Sequence, residues 1–146
     1  MFKPLIKGHV VISLPPLFKD RIDGLGQSQS KMLIVSPLVS LVDSTKQVVD
    51  SLGIRSVAWK DVTPKEFLQK HQASPVVVSI CSPEHLLSPA WRNVLTDMWT
   101  PDFVTWDEAQ CSVHWNFRAY TSDVCDWFRS TFTSCKNLYT SATLGI

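Results

Sequence analysis

The sequence predicts an α/β domain built on a mainly parallel β-sheet, and three observations lead to that class. Short, almost continuously apolar runs recur along the chain, which is typical of strands covered on both faces. Segments with helical periodicity separate these runs. The chain has 146 residues, 45% of them hydrophobic and 18% charged, which is enough apolar material for a packed core. We therefore expect one α/β domain over residues 1–146.

Composition excludes several other classes of protein. The formal net charge is +1, which argues against a strongly basic nucleic-acid-binding tail. No apolar run reaches the roughly 18 residues of a membrane span, and the first residues contain no signal-peptide core. The four cysteines form no CxxC pair, and with the four histidines they give no zinc-binding spacing. We expect a reduced, intracellular protein without a membrane partner.

Six apolar runs are predicted as strands, because they are β-branched or otherwise apolar at most positions. The four strongest runs are residues 9–14, 31–36, 76–81 and 103–107, and two weaker runs are residues 55–59 and 137–141. Four tryptophans in and between these segments are expected to be packing residues: Trp91, Trp99, Trp106 and Trp127. Two cations, Arg129 and Lys136, are expected to be solvated.

Four segments between the strands have helical spacing or helix-terminal signals. They are residues 38–52, 63–70, 89–98 and 122–132. Gly53 occupies the position of a glycine that ends a helix. Thr63 is a candidate N-cap, with Pro64 at the first helical position and Glu66 three residues after the cap.

The tetrapeptide at residues 107–110 (DEAQ) follows a predicted strand directly and carries the clearest chemical signal. An aspartate at the carboxyl end of a strand can hold Mg²⁺ through water, because hard cations prefer oxygen ligands. Glu108 can polarise a water that attacks a terminal phosphate. Gln110 can bridge that site to a moving element. An ordinary acidic turn that caps the next helix is the alternative interpretation.

Five short motifs, in order, resemble the first RecA-like lobe of the RecQ family of superfamily 2 DNA helicases. They are residues 36–41 (SPLVSL, motif Ia), 81–84 (CSPE), 107–110 (motif II, with glutamine for the usual histidine), 110–118 (the aromatic-rich loop) and 141–143 (SAT, motif III). Their order and spacing agree over roughly residues 31–143, most of the chain. The resemblance implies a RecA-like sheet of the P-loop NTPase type, with ATP and Mg²⁺ as cofactors.

The resemblance also implies a role for each matching residue. Asp107 would coordinate Mg²⁺ through water, Glu108 would position the hydrolytic water, and Gln110 would complete the catalytic set. Ser141 and Thr143 would couple hydrolysis to domain motion. Six residues would lie at the DNA: Ser36, Pro37, Ser82, Trp115, Phe117 and Arg118.

The DNA-contacting set also has a physical rationale, since aromatic faces stack on bases and arginine binds phosphate. Core packing is the alternative for Trp115 and Phe117, and a plain strand stop is the alternative for Ser36 and Pro37. The family would add single-stranded or forked DNA as partner, 3′ to 5′ unwinding, a second RecA-like lobe, and nuclear localisation in a eukaryote.

One family element is missing from the sequence. The family has a phosphate loop, GxxxxGK[ST], between its first strand and first helix, and no such loop follows residues 9–14. The first crossover, residues 15–30, has room for barely two helical turns at residues 17–22, and since a parallel crossover needs about a dozen residues or more, this one is possible but cramped. We therefore expect an incomplete lobe, because the sequence lacks the residues that would form the phosphate loop.

Without the loop, ATP loses a lysine and a ring of amide donors, so the chain alone is expected to be deficient in ATP binding and unwinding. Three readings stay open on sequence alone. The chain is a fragment or shortened form of a RecQ-like helicase lobe, a non-catalytic DNA- or protein-binding remnant of one, or an unrelated α/β domain with a coincidental DEAQ.

Overall fold

The structure, a computed structural model, describes residues 4–7, 10–13, 31–36, 39–107 and 118–139. These residues include seven strands: β1 (Pro4–Lys7), β2 (Val10–Ser13), β3 (Met32–Val35), β4 (Ser56–Ala58), β5 (Val78–Cys81), β6 (Phe103–Trp106) and β7 (Lys136–Tyr139). Five of them form one sheet in the order β4-β5-β3-β6-β7, and every pairing in it is parallel. The predicted fold class, a parallel sheet flanked by helices, is confirmed.

Helices connect the strands, as the periodicity predicts. They are α1 (Val39–Ser51), α2 (Pro64–Ala73), α3 (Pro89–Asn93), which continues into a π-helical turn (Val94–Met98), and α4 (Arg118–Thr131). Two short 3₁₀ turns follow β4 and β5, at Trp59–Asp61 and His85–Leu87. All four predicted helical segments are present, and the main difference is that α4 begins at Arg118 rather than at residue 122.

The predicted terminal signals of the helices are also present. The Thr63 hydroxyl accepts from the Glu66 N–H at 3.1 Å, and the Glu66 carboxylate accepts from the Thr63 N–H at 2.9 Å. This reciprocal pair is a capping box, and Pro64 is the first residue of α2. Gly53 has a φ of +76°, and its N–H donates to the Asp50 carbonyl at 3.0 Å, just after α1.

The prediction that residues 9–14 form the first strand of the parallel sheet is wrong. Its central part, β2, pairs antiparallel with β1, so that Pro4 is opposite Ser13 and Lys7 is opposite Val10. This two-stranded sheet is separate from the parallel sheet and lies against α1. Only Gly8 and His9 separate the two strands in sequence, and such a short connection makes local pairing cheap in loop entropy. The shortened crossover, residues 15–30, lies outside the described residues.

Both faces of the parallel sheet are buried, which explains why its strands are apolar at successive positions. Met32 and Ile34 of β3 pack on one face with residues of α1 such as Val42. Leu33 and Val35 point to the other face, whose core includes residues from α2, α3 and α4. The predicted two-sided burial is therefore confirmed.

The predicted packing role of the tryptophans is confirmed for three that are buried and one that is half-buried. Trp91, Trp99 and Trp106 are at most 5% exposed, and Trp127 packs at the margin of the core. Arg129 and Lys136 are exposed, as expected. Among the described residues, no helix is long and apolar enough to cross a membrane.

Candidate nucleotide and nucleic-acid site

Three residues from different sequence motifs form a row at the carboxyl edge of the parallel sheet. Ser82 follows β5, Ser36 follows β3 and Asp107 follows β6, and these strands are neighbours in that order. Val35 is opposite both Cys81 and Trp106 in the strand register. The next residue of each strand therefore lies at the same level, and we call Ser82, Ser36 and Asp107 the carboxyl-edge row.

Backbone hydrogen bonds extend the sheet into this row. The Ser36 N–H donates to the Cys81 carbonyl at 2.8 Å, and the Asp107 N–H donates to the Val35 carbonyl at 2.8 Å. Adjacent strands are about 4.8 Å apart, so the row places the Asp107 carboxylate beside Ser36, with Ser82 one strand further along the same edge. This edge is where open α/β sheets bind their ligands.

All three members of the row are largely buried. The exposed fraction is 0% for Ser36, 4% for Asp107 and 7% for Ser82. The hydroxyl of Ser36 does not reach the surface in this conformation, so its contact with DNA stays a prediction that requires local opening. Asp107 and Ser82 are placed at the edge by the strands that precede them.

Trp106 joins the strand that precedes Asp107 to two neighbouring elements, β7 and α4. The Trp106 indole N–H donates to the Asn137 side-chain oxygen at 2.9 Å, which ties β6 to β7. The amide of Asn137 in turn donates to the Cys135 carbonyl at 3.2 Å. The Trp106 ring also meets Phe128 of α4 edge-on, with centroids 5.6 Å apart. These contacts hold the backbone just before Asp107 in place.

The row contains one side chain of the kind that binds Mg²⁺ in phosphate-handling sites, the Asp107 carboxylate. Mg²⁺ in phosphate-handling sites typically takes one or two carboxylates, with waters and phosphate oxygens as the remaining ligands. Asp107 supplies one carboxylate at the strand end. In the part of the chain that the structure describes, no three His, Cys, Asp or Glu residues come together as a metal cage.

Ser82 has a partner that the sequence did not reveal. Its N–H donates to Nδ1 of His85 at 3.1 Å, its Oγ lies 3.0 Å from the same nitrogen, and its carbonyl accepts from the His85 N–H at 3.1 Å. A backbone N–H can only donate, so Nδ1 is the acceptor and the ring proton lies on Nε2. The available signal was an acceptor side chain three residues after a serine, the spacing of a capping box.

Aromatic rings fix the orientation of the His85 imidazole. It stands edge-on to Trp59 and Trp91, with centroids 5.9 Å from each and interplanar angles of 88°. These two indoles stack on each other at 4.1 Å, and Phe67 meets both of them edge-on. Burial lowers the pKa of His85, and the nearby Glu84 carboxylate partly opposes this. The imidazole is therefore neutral near pH 7.

The described cysteines offer no thiolate nucleophile as an alternative chemistry. Burial raises the pKa of Cys81 and Cys125 and raises that of Cys135 to about 12. Each thiol stays protonated at neutral pH, and a protonated thiol is a poor nucleophile.

Several predicted site residues lie outside the described residues: Pro37, Glu108, Gln110, Trp115, Phe117, Ser141 and Thr143. Arg118 is the first residue of α4. The structure therefore brings together Ser36, Ser82 and Asp107 and leaves the remaining assignments as predictions.

Comparison with known proteins supports the fold. A solved structure of the DEAD-box helicase Mss116, bound to ssRNA and UDP-BeF, matches with a TM-score of 0.60 and 21% sequence identity. The match covers 88% of this chain but only 29% of the helicase chain. No family model and no curated protein matches the sequence. At this identity the likeness shows the fold alone, a RecA-like parallel sheet flanked by helices.

Proposed function

We propose that residues 1–146 form the first RecA-like lobe of a RecQ-like superfamily 2 helicase, an enzyme that couples ATP hydrolysis to 3′ to 5′ DNA unwinding. The carboxyl-edge row carries this proposal. Ser36, Ser82 and Asp107 come from three separate motifs of the chain, yet they occupy adjacent strands at one level of the sheet. The RecA-like fold supports the same reading.

In this proposal the row divides between nucleotide and nucleic acid. Asp107 would hold Mg²⁺ through water, and the ion would supply positive charge against the nucleotide phosphates. Glu108 orients the attacking water, and Gln110 links that site to the second lobe. Ser141 and Thr143 transmit the state of the nucleotide to the domain motion.

On the nucleic-acid side of the proposal, Ser36, Pro37 and Ser82 lie near the sugar-phosphate backbone of the DNA. Trp115 and Phe117 stack on unpaired bases, and Arg118 binds phosphate. We propose single-stranded or forked DNA as the partner, on the basis of the RecQ-like motifs. The similar helicase structure contains ssRNA, which makes RNA the competitor that an experiment has to test.

This chain by itself is proposed to be a weak nucleotide binder. The sequence contains no GxxxxGK[ST], and the apolar run that would precede such a loop pairs in the β1–β2 hairpin. These two observations favour, as the second candidate, a non-catalytic DNA- or protein-binding remnant of a helicase lobe. The candidates differ in whether the chain belongs to a protein that hydrolyses ATP, and a DNA-binding remnant would share the nucleic-acid surface of the first candidate.

Titration of the purified chain with Mg-ATP tests the nucleotide half. We expect affinity weaker than micromolar and no hydrolysis above background, because the phosphate-binding backbone amides and lysine are missing. The residual binding should require Mg²⁺ and should be lost in Asp107→Asn but not in Asp97→Asn, a matched change at an exposed aspartate. Micromolar affinity, or equal behaviour of the two variants, would contradict this assignment.

Fluorescence anisotropy with labelled single strands tests the nucleic-acid half. Trp115→Ala should weaken binding about 5-fold or more, since one stacked base contributes about 1–3 kcal/mol. Arg118→Ala should also weaken it, whereas Arg129→Ala, at an exposed arginine in the same helix, should not.

DNA and RNA strands of the same sequence decide the class of nucleic acid. Tighter DNA binding supports the RecQ-like reading, and tighter RNA binding overturns its DNA component. No binding to either would favour an unrelated α/β domain. The salt dependence should be shallow, because the chain has a net charge of only +1.

A further inference from the structure

We infer that His85 is a positioning residue for nucleic-acid binding: its Nδ1 holds the turn that carries Ser82 at the carboxyl edge of the sheet. The inference rests on the proposed function, in which Ser82 lies near the sugar-phosphate backbone of the DNA. It adds a residue that none of the motifs assigns, and it explains how a loop residue at the sheet edge is kept rigid.

Ser82 and His85 are the first and last residues of one turn, and hydrogen bonds join them directly. Nδ1 accepts from the Ser82 N–H at 3.1 Å while the Ser82 carbonyl accepts from the His85 N–H at 3.1 Å. The turn is therefore closed by one backbone hydrogen bond and one side-chain hydrogen bond, and the Ser82 Oγ makes a further contact with Nδ1 at 3.0 Å. Ser82 is only 7% exposed, so a small rotation of this turn decides whether its hydroxyl can reach a ligand.

The imidazole cannot move away easily, because rings of other elements hold it. Trp59 comes from the 3₁₀ turn after β4 and Trp91 from α3, and both stand perpendicular to His85 at 5.9 Å. The Arg92 side chain adds a hydrogen bond to the Leu86 carbonyl, which fixes the chain just after His85. The acceptor nitrogen is therefore presented to Ser82 by a preorganised support.

The state of Nδ1 determines whether this support works. When the ring gains a second proton, Nδ1 becomes a donor and faces the Ser82 N–H, which is also a donor. The N–H then loses its partner, and the new Nδ1–H donates to the Ser82 Oγ, which lies 3.0 Å away. Protonation should therefore reorient the Ser82 N–H and hydroxyl and change the affinity for a single strand.

The surroundings of His85 favour its neutral form, so the second proton binds only under acid conditions. Burial lowers its pKa, and Glu84, on the same turn, acts in the opposite direction. The packed elements contribute Lys60, which is paired with Asp43 and Asp61, and Arg92, whose guanidinium lies 4.2 Å from the centre of the Trp127 ring. The affinity should therefore change only as the pH falls below the ordinary histidine value of 6.5.

Two substitutions separate the acceptor from the ring. His85→Phe keeps an aromatic ring against Trp59 and Trp91 but removes Nδ1, and His85→Gln restores an acceptor at a capping-box position. The matched control is His71→Phe. His71 Nδ1 also accepts a backbone N–H, from Val76 at 3.0 Å, and its ring lies parallel to Phe67, but Val76 is at the opposite end of β5.

The readout is the affinity of the full chain for a labelled single strand, together with amide exchange at Ser82. His85→Phe should bind about 3- to 10-fold more weakly, the effect of one lost neutral hydrogen bond, and exchange faster at Ser82. His85→Gln should recover most of the affinity and lose the pH dependence between about pH 7.5 and 5.5. His71→Phe should bind like the wild type.

The possible failures are distinguishable. Equal affinity of the wild type and a folded His85→Phe, or equal weakening by His71→Phe, overturns the positioning role while the proposed function stands. Absence of binding by the wild-type chain overturns the proposed function and the role of His85 with it. Unchanged amide exchange at Ser82 in His85→Phe overturns the hydrogen bond on which the inference is built.

Discussion

At the scale of single residues, the capping box that begins α2 is a measurable source of stability. Thr63→Ala removes the hydroxyl that accepts from the Glu66 N–H, and we expect the free energy of unfolding to fall by about 1 kcal/mol. Denaturant titration checks this value. Thr96→Ala is the control, because the Thr96 hydroxyl only donates to carbonyls of its own helix, and a change above about 0.5 kcal/mol there would undermine the comparison.

Two histidines make stability depend on pH. Burial is the main cause of a lowered pKa in both His71 and His85, from an ordinary value of 6.5. The unfolded chain therefore takes up protons at a higher pH than the native one, and stability falls as the pH drops below about 6.5. Thermal unfolding at about pH 7.5 and 5.5 should show this loss, and a smaller one in the His71→Phe, His85→Phe double variant. Equal losses would show that other groups cause the dependence.

At the scale of elements, Gly53 decides where α1 ends. Its φ of +76° lies in the left-handed region, and a Cβ at this position would meet nothing within 4 Å. The cost of Gly53→Ala is therefore backbone strain rather than a clash, and we expect about 1–2 kcal/mol of destabilisation. Gly53→Asn should cost less, because asparagine tolerates this conformation. Equal costs in chemical denaturation would mean that strain is not the cause.

Strand pairing is the element-scale property that the apolar pattern did not determine. Residues 9–14 and 31–36 have similar composition, but the centre of one forms a hairpin and that of the other lies in the middle of the parallel sheet. Apolarity reports that a strand is covered, not which strand is its neighbour. The proximity of β1 in sequence decides the first case, since short loops close at low entropic cost.

At the scale of the whole molecule, stability depends on both faces of the sheet. Ile34 and Phe128 are fully buried in the two different cores. We expect Ile34→Ala to cost about 2–5 kcal/mol and Phe128→Ala about 3–5 kcal/mol. Because a native domain is stable by only about 5–15 kcal/mol, either change removes a large share. Leu52→Ala, at a side chain that is 48% exposed, should be nearly neutral, and a comparable cost there would contradict this account.

The carboxyl-edge row is also a whole-molecule property. Its members occur in the chain in the order Ser36, Ser82, Asp107, but in space Ser36 lies between the other two. Motif types and strand ends could be predicted from the sequence, because each depends on a few consecutive residues. The adjacency could not, because sheet order depends on how the crossovers and helices pack.

The sequence by itself determined the class of fold, the helices with their caps, and the strand ends that carry Ser36, Ser82 and Asp107. All of these follow from local periodicity and from chemistry within a few residues. Only the tertiary structure decided that β2 belongs to a hairpin, that the three residues form one row, and that His85 holds Ser82 between Trp59 and Trp91. The row and the support of His85 join segments that are distant in sequence, and the hairpin excludes β2 from the parallel sheet, so the packing of the chain selects among these arrangements.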